Sequence, residues 1–251
     1  MHRFFIPPAW IRGDHVLLGD EVVHQVRHVL RLRPGARIVV LDDRGVEYEV
    51  ALVSVENKSA RGDIVARRPA SGEPSAQVTL CQAVLKKDNF EWVLQKGTEI
   101  GVTRFVPLIT ARTVAAGSDG VSAARQERWA RIVREAAEQS RRGALPVVDA
   151  PLTFGEALAD IATADLSLIA WEEERATSLR DAVAPLRAAS DAPHVAVFIG
   201  PEGGFTVAEI SQAAGRGVVP VTLGARILRA ETAATAAALL VLYELGALDS
   251  A

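Results

Sequence analysis

The sequence predicts an α/β protein in two parts, a small β-rich unit followed by a larger unit built on a mostly parallel sheet. Three observations carry this. From Gln77 onward, short apolar runs of buried-strand type alternate with amphipathic helical stretches. Before about residue 70 the apolar runs are β-rich and separated by turn residues. Between these regions, Arg68-Pro-Ala-Ser-Gly-Glu-Pro-Ser75 breaks the composition and reads as a linker, which puts the domains at residues 1–72 and 73–251.

The first unit contains one convincing helix, Gly19 to Leu32, with Val22, Val26, Val29 and Leu30 on one face and Pro34-Gly35 closing it. A strand Arg37–Leu41 follows, then an Asp42-Asp-Arg-Gly45 hairpin turn and the alternating run Val46–Val53. With a third run, Asp63–Ala66, these predict a small antiparallel barrel with one helix. In the second unit, strands are predicted at Val78–Val84, Phe105–Ile109, Leu166–Ala170, His194–Ile199 and Val218–Leu223. Helices span about Asp88–Ile100 and Ala123–Arg141, the latter carrying Trp129, Ile132, Val133 and Ala136 at helical spacing. Trp92 and Trp129 are assigned to the core. A last helix, Thr232 to Leu245, is apolar nearly all round, through Ala236, Ala237, Leu239, Leu240, Val241 and Leu242. One sheet covers one side of such a helix, so a second copy of the chain is expected on the other, a homodimer.

Composition bounds the function. Of 251 residues, 49% are hydrophobic and 24% charged, which excludes a disordered chain. Lys and Arg number 28 against 31 Asp and Glu, so no global basic charge announces a nucleic-acid partner. The split is uneven, however: 11 basic against 9 acidic residues through Gly72, and 17 against 22 beyond it. Cys81 is the single cysteine, which excludes an internal disulfide and an all-cysteine zinc site. His24 and His28 lie one helical turn apart without an evident third ligand, and no metal is expected. The N-terminal MHRFFIPPAW lacks the apolar run of a signal peptide, and no membrane span is expected either; the cytoplasm is the predicted location.

Two stretches carry the chemistry. In His194-Val-Ala-Val-Phe-Ile-Gly-Pro-Glu-Gly-Gly-Phe205 a buried strand runs into a glycine-rich turn, and Thr206 with Glu209 forms the capping box of the next helix. Glycines there let a ligand approach backbone amides at the carboxyl end of the sheet, although the spacing is not the dinucleotide fingerprint. A tight β-α turn alone explains the glycines but leaves Pro201-Glu202 between them unexplained. In Val221-Thr-Leu-Gly-Ala-Arg-Ile-Leu-Arg-Ala-Glu-Thr-Ala233, Arg226, Arg229 and Glu231 crowd a loop between two apolar elements, a placement that favours a site. The same charges also suit a solvated loop.

Together with Arg3-Phe-Phe, Val29-Leu-Arg-Leu-Arg-Pro-Gly35, Gln95-Lys-Gly-Thr-Glu-Ile-Gly-Val102 and Glu135-Ala-Ala-Glu-Gln-Ser-Arg-Arg142, these motifs resemble the bacterial 16S ribosomal RNA uridine-N3 methyltransferases, small-subunit methyltransferase E, of the SPOUT superfamily. The resemblance spans almost the whole chain. It implies a PUA-like RNA-binding barrel over 1–72 and an α/β methyltransferase domain with a trefoil knot over 73–251. It also implies S-adenosylmethionine as methyl donor, 16S rRNA within the 30S subunit as substrate, and an obligate homodimer. By position the cofactor site falls on Gly200, Pro201, Glu202, Gly203 and Gly204, on Leu223, Gly224, Arg226, Ile227 and Leu228, and on Thr232 and Ala233. Arg229 is then the group that stabilises the anion of the uridine imide, with Glu202 orienting its guanidinium or acting as base. Arg3, Arg27, Arg31, Arg33 and Arg142 are the expected RNA phosphate contacts. Two other functions fit the residues: an RNA-binding assembly factor with a vestigial pocket, and an enzyme taking a phosphorylated small molecule at the glycine loop.

Overall fold

The structure, a computed structural model, describes residues 1–114 and 120–248. Its contacts divide the chain into two compact units: Met1–Glu73 with Ala137–Leu145, and the remainder of the described chain.

The first unit holds strands β1 (His2–Phe5), β2 (Ile11–Arg12) and β3 (His15–Leu18), helix α1 (Asp20–His24), and strands β4 (Arg37–Leu41), β5 (Val46–Val55) and β6 (Ala60–Pro69). They form a six-stranded sheet in the order β1-β4-β5-β6-β3-β2. Pairing is antiparallel except for β1 with β4, which is parallel. The wholly antiparallel barrel is therefore corrected at one edge. The chain passes through α1 between those two strands, a crossover rather than a hairpin. At the Asp42–Gly45 turn, the buried Asp42 carboxylate accepts from the Arg44 and Val46 N–H groups (2.9 and 3.2 Å) and the Tyr48 hydroxyl (3.1 Å). Phe4, Ile38, Val40, Val50 and Leu52 are buried in one core, while the neighbours Phe5 and Leu41 are buried in a second small cluster with Ala137.

The predicted helix holds as α1 but widens into a π turn over Gln25–Val29, where Leu30 N–H bonds to the Gln25 carbonyl at 2.8 Å. That wider turn slides the buried face round. Val22, Val23 and Val26 are buried, whereas Val29, assigned to the same face, is 64% exposed.

The second unit runs β7 (Gln77–Ala83), α2 (Asn89–Ile100), β8 (Arg104–Ile109), α3 (Ala123–Ser140), β9 (Val147–Val148), β10 (Leu152–Thr153), α4 (Phe154–Asp160), β11 (Leu166–Ala170), α5 (Leu179–Val183), β12 (His194–Ile199), α6 (Val207–Ala214), β13 (Val219–Val221) and α7 (Ala230–Glu244). The last residues of α3 group with the first unit. The sheet is parallel throughout, in the order β10-β8-β7-β12-β11-β13, with β9 beside β8. Along β12 the period of two is strict. Val195, Val197 and Ile199 enter one core with α2, α5 and α7, while Ala196 and Phe198 enter another with α4 and α6. A sheet buried on both faces explains why its strands read as continuous apolar runs.

Trp129 is fully buried against Phe90, with ring centroids 4.4 Å apart. Trp92 is not core: α2 buries Phe90, Val93, Leu94, Gly97 and Thr98, and Trp92 lies on the flank of that face, 42% exposed. Helix α7 buries Ala234, Ala237, Ala238, Val241 and Leu242 and leaves Leu239, Leu240 and Tyr243 in solvent. No helix among the described residues is long and apolar enough to cross a membrane.

Candidate active site

Strands β12, β11 and β13 are neighbours, and their carboxyl ends open together into a cavity of about 560 Å³. That volume lies within the range of small-molecule sites, roughly 300–1,000 Å³. The cavity's place matches the general rule that ligands of open parallel sheets bind beyond the carboxyl ends of the strands.

The loop after β12 folds tightly on itself. Gly204 N–H bonds to the Pro201 carbonyl at 2.9 Å, and a Cβ on Gly200 would lie 3.2 Å from the Gly204 carbonyl carbon. Gly204 adopts φ +67°, and a Cβ there would fall 2.6 Å from Glu172 Oε1, so this position accepts only glycine without displacement. Two side chains hold the loop from outside. Arg112 donates to the carbonyls of Gly203 (2.7 Å) and Phe205 (3.3 Å). Glu202 Oε1 accepts the backbone N–H of Lys86 at 2.9 Å. The capping box of α6 forms as the spacing predicts, and the buried Glu209 carboxylate also takes the Ala111 N–H at 2.9 Å.

All five residues of Gly200–Gly204 line the cavity, as do Leu223, Gly224, Arg226, Ile227, Leu228, Arg229 and Ala233. Thr232 does not: it points into solvent from the first turn of α7, which begins two residues earlier than the apolar pattern suggests. Arg229, the N-cap of α7, is exposed at the cavity and has no carboxylate partner among the described residues. Its pairing with Glu202 is therefore corrected, because Glu202 is engaged by the Lys86 backbone.

Sequence reasoning missed the loop after the middle strand. Trp171, Glu172 and Arg175 line the cavity between the two recognised loops. Four charged residues, Glu172 to Arg175, directly after a buried strand form the same signal that singled out Arg226 and Arg229. This loop braces itself. Glu174 Oε1 accepts the N–H groups of Arg175, Ala176 and Thr177 (2.9, 2.6 and 3.1 Å), and chiefly the Ala176 bond holds its carboxyl below the ordinary range. Arg175 donates to the carbonyls of Glu172 and Glu174.

The arginines assigned to RNA divide. Arg31 and Arg33 are exposed and Arg27 half-exposed, none with a carboxylate partner among the described residues; Arg27 bonds Asn57. Arg142 is corrected outright: its side chain is 3% exposed and grips Glu73 bidentately, at 2.8 Å through Nε and 2.6 Å through Nη2. Glu73 also takes the Gly143 and Ala144 N–H groups, so Arg142 anchors a turn and cannot reach a phosphate. Arg3 is 12% exposed and lies 2.9 Å from Glu47, a close pair that is not aligned as a hydrogen bond; its charge is balanced inside the protein.

The RNA methyltransferase domain profile matches residues 72–242, and the RNA methyltransferase PUA domain profile matches residues 18–65. The chain is 37% identical to the ribosomal RNA small subunit methyltransferase E of Synechocystis, over 94% of this chain and 75% of that one. It is 31% identical to the Bacillus subtilis protein of the same name, over 93% of each. Among solved structures, the methyltransferase E of Neisseria gonorrhoeae bound to S-adenosyl methionine superposes with a TM-score of 0.85 at 34% identity, covering 97% of both chains.

Proposed function

The chain belongs to the small subunit methyltransferase E family of RNA methyltransferases, and from that premise we propose that it transfers a methyl group from S-adenosylmethionine to N3 of a uridine in 16S rRNA. The observation that carries this reading is the cavity at the shared carboxyl edge of β12, β11 and β13, with Arg229 at its rim and in no ion pair among the described residues. Its residues fit such a cofactor. Ile199, Leu223, Leu228 and Ala233 offer apolar surface to an adenine, the glycine loop admits a ligand close to its backbone, and Glu172 supplies a negative charge toward a cation.

When bound, the cofactor supplies an electrophilic methyl group. The uridine imide proton must leave before or during transfer, and the resulting charge spreads over O2 and O4. Arg229 stabilises that charge with a guanidinium that forms no ion pair among the described residues, and positioning by the loops supplies much of the rest. Glu202 serves as a strut between the glycine loop and Lys86, with water accepting the proton. We assign residues 1–72 to RNA binding, through Arg27, Arg31 and Arg33, and residues 73–251, with the trefoil knot of the family, to methyl transfer. The exposed Leu239, Leu240 and Tyr243 of α7 form the homodimer surface, and light scattering at micromolar concentration then returns twice the chain mass. A ribosomal substrate puts the protein in the cytoplasm.

Incubation with labelled S-adenosylmethionine and unmodified 30S subunits, followed by base mapping, tests the reaction. Label at N3 of one uridine is the expected result. Saturable cofactor binding without transfer would favour an assembly factor, and label on a ribose or another base would overturn the assigned chemistry.

A further inference from the structure

We propose that Glu172 selects the cofactor by its positive charge, reading the sulfonium or the ammonium of S-adenosylmethionine. The inference rests on the cofactor reading above and extends it to a loop that no glycine motif marks.

Glu172 follows β11, the strand between the two that carry the glycine-bearing loops, so its carboxylate enters the cavity from the middle. The approach is close: a Cβ on Gly204 would fall 2.6 Å from Oε1, and 3.3 Å from Oε2. Of the other carboxylates near the glycine loop, two are engaged, while Glu231 lines the cavity from the first turn of α7. Glu202 is held by the Lys86 N–H, and Glu174 by the N–H groups of its own turn. Arg175, the nearest cation in sequence, donates to the backbone carbonyls of Glu172 and Glu174 and not to the Glu172 carboxylate. Among the described residues Glu172 has no ion-pair partner. A carboxylate on a self-braced loop at a partly apolar cavity, with none of the lining arginines in ion-pair contact with it, favours a ligand that brings a cation.

Calorimetric titration of wild type and Glu172→Gln with S-adenosylmethionine, S-adenosylhomocysteine and 5′-methylthioadenosine tests this by binding alone. The substitution keeps the size and removes the charge. The affinity of S-adenosylmethionine should fall about tenfold, the scale of one charge-assisted contact. The affinity of methylthioadenosine, which carries neither cation, should not move. If S-adenosylhomocysteine weakens equally, the ammonium is read; if it is unaffected, the sulfonium is. Unchanged affinity for S-adenosylmethionine overturns the proposal, as does an equal loss for methylthioadenosine, which would mark a merely structural role. Failure of the wild type itself to bind S-adenosylmethionine is a separate result that overturns the cofactor reading.

Discussion

The two edges of the parallel sheet carry similar residues to opposite ends. At the amino edge, Arg104 at the start of β8 meets Asp149 at 2.7 Å and Asp160 at 2.8 Å. At the start of β12 the His194 ring Nε2 lies 2.8 Å from the Thr79 hydroxyl, and the His194 backbone N–H donates to Asp165 at 2.8 Å. Every one of these charges has an internal partner. At the carboxyl edge, Arg229 and Glu172 lack one among the described residues, and Ile227 stands 88% exposed at the cavity. Polar groups on the first edge hold the sheet's ends together. On the second, Arg229 and Glu172 stand at the cavity without that engagement, and this difference in satisfaction, more than charge itself, is what supports the proposed site there.

Removing the unpaired charge should have the largest effect. Arg229→Ala should slow single-turnover methyl transfer on the order of a hundredfold, as loss of an oxyanion-type donor does, while cofactor affinity stays within about twofold by titration. Glu202→Gln, whose amide oxygen can still accept from Lys86, should be far milder; equal inactivity would make Glu202 the base. Gly204→Ala adds a Cβ where Glu172 stands and forces φ +67° on an alanine. It should weaken cofactor binding several-fold and destabilise the fold by about 1–3 kcal/mol in urea titration.

At the amino edge the effect should move from rate to stability. Arg104→Ala leaves two carboxylates facing each other, and because the side chain is 31% exposed the loss should be about 1–2 kcal/mol, with the turnover of folded enzyme unchanged. The smallest effect concerns pH. Burial, foremost, lowers the His194 pKa below its ordinary 6.5. The neutral ring therefore supports the fold above about 6.5, and that support is lost as pH falls through the lower folded value. Unfolding midpoints measured down the scale from pH 7 should decline in that window, and His194→Gln should flatten the decline.

Much of this was legible in the chain itself, and the failures share a cause. The strand periodicity of β12, the capping box of Thr206 and Glu209, and the glycine loops are local patterns set within a few residues. The loop of Glu172 escaped because sequence order conceals that β11 lies between β12 and β13. Arg142 was misread as an RNA contact because its partner, Glu73, lies 69 positions away. Val29 was misplaced because a π turn is a hydrogen-bond choice that apolar spacing does not encode.

The most direct test of the account is a crystal structure of this chain grown with S-adenosylmethionine. The account predicts the cofactor in the cavity at the carboxyl edge, touching the loops after β11, β12 and β13 together, with Arg229 free at the rim. A cofactor bound elsewhere, or seated without contact to the loop of Glu172, would contradict it.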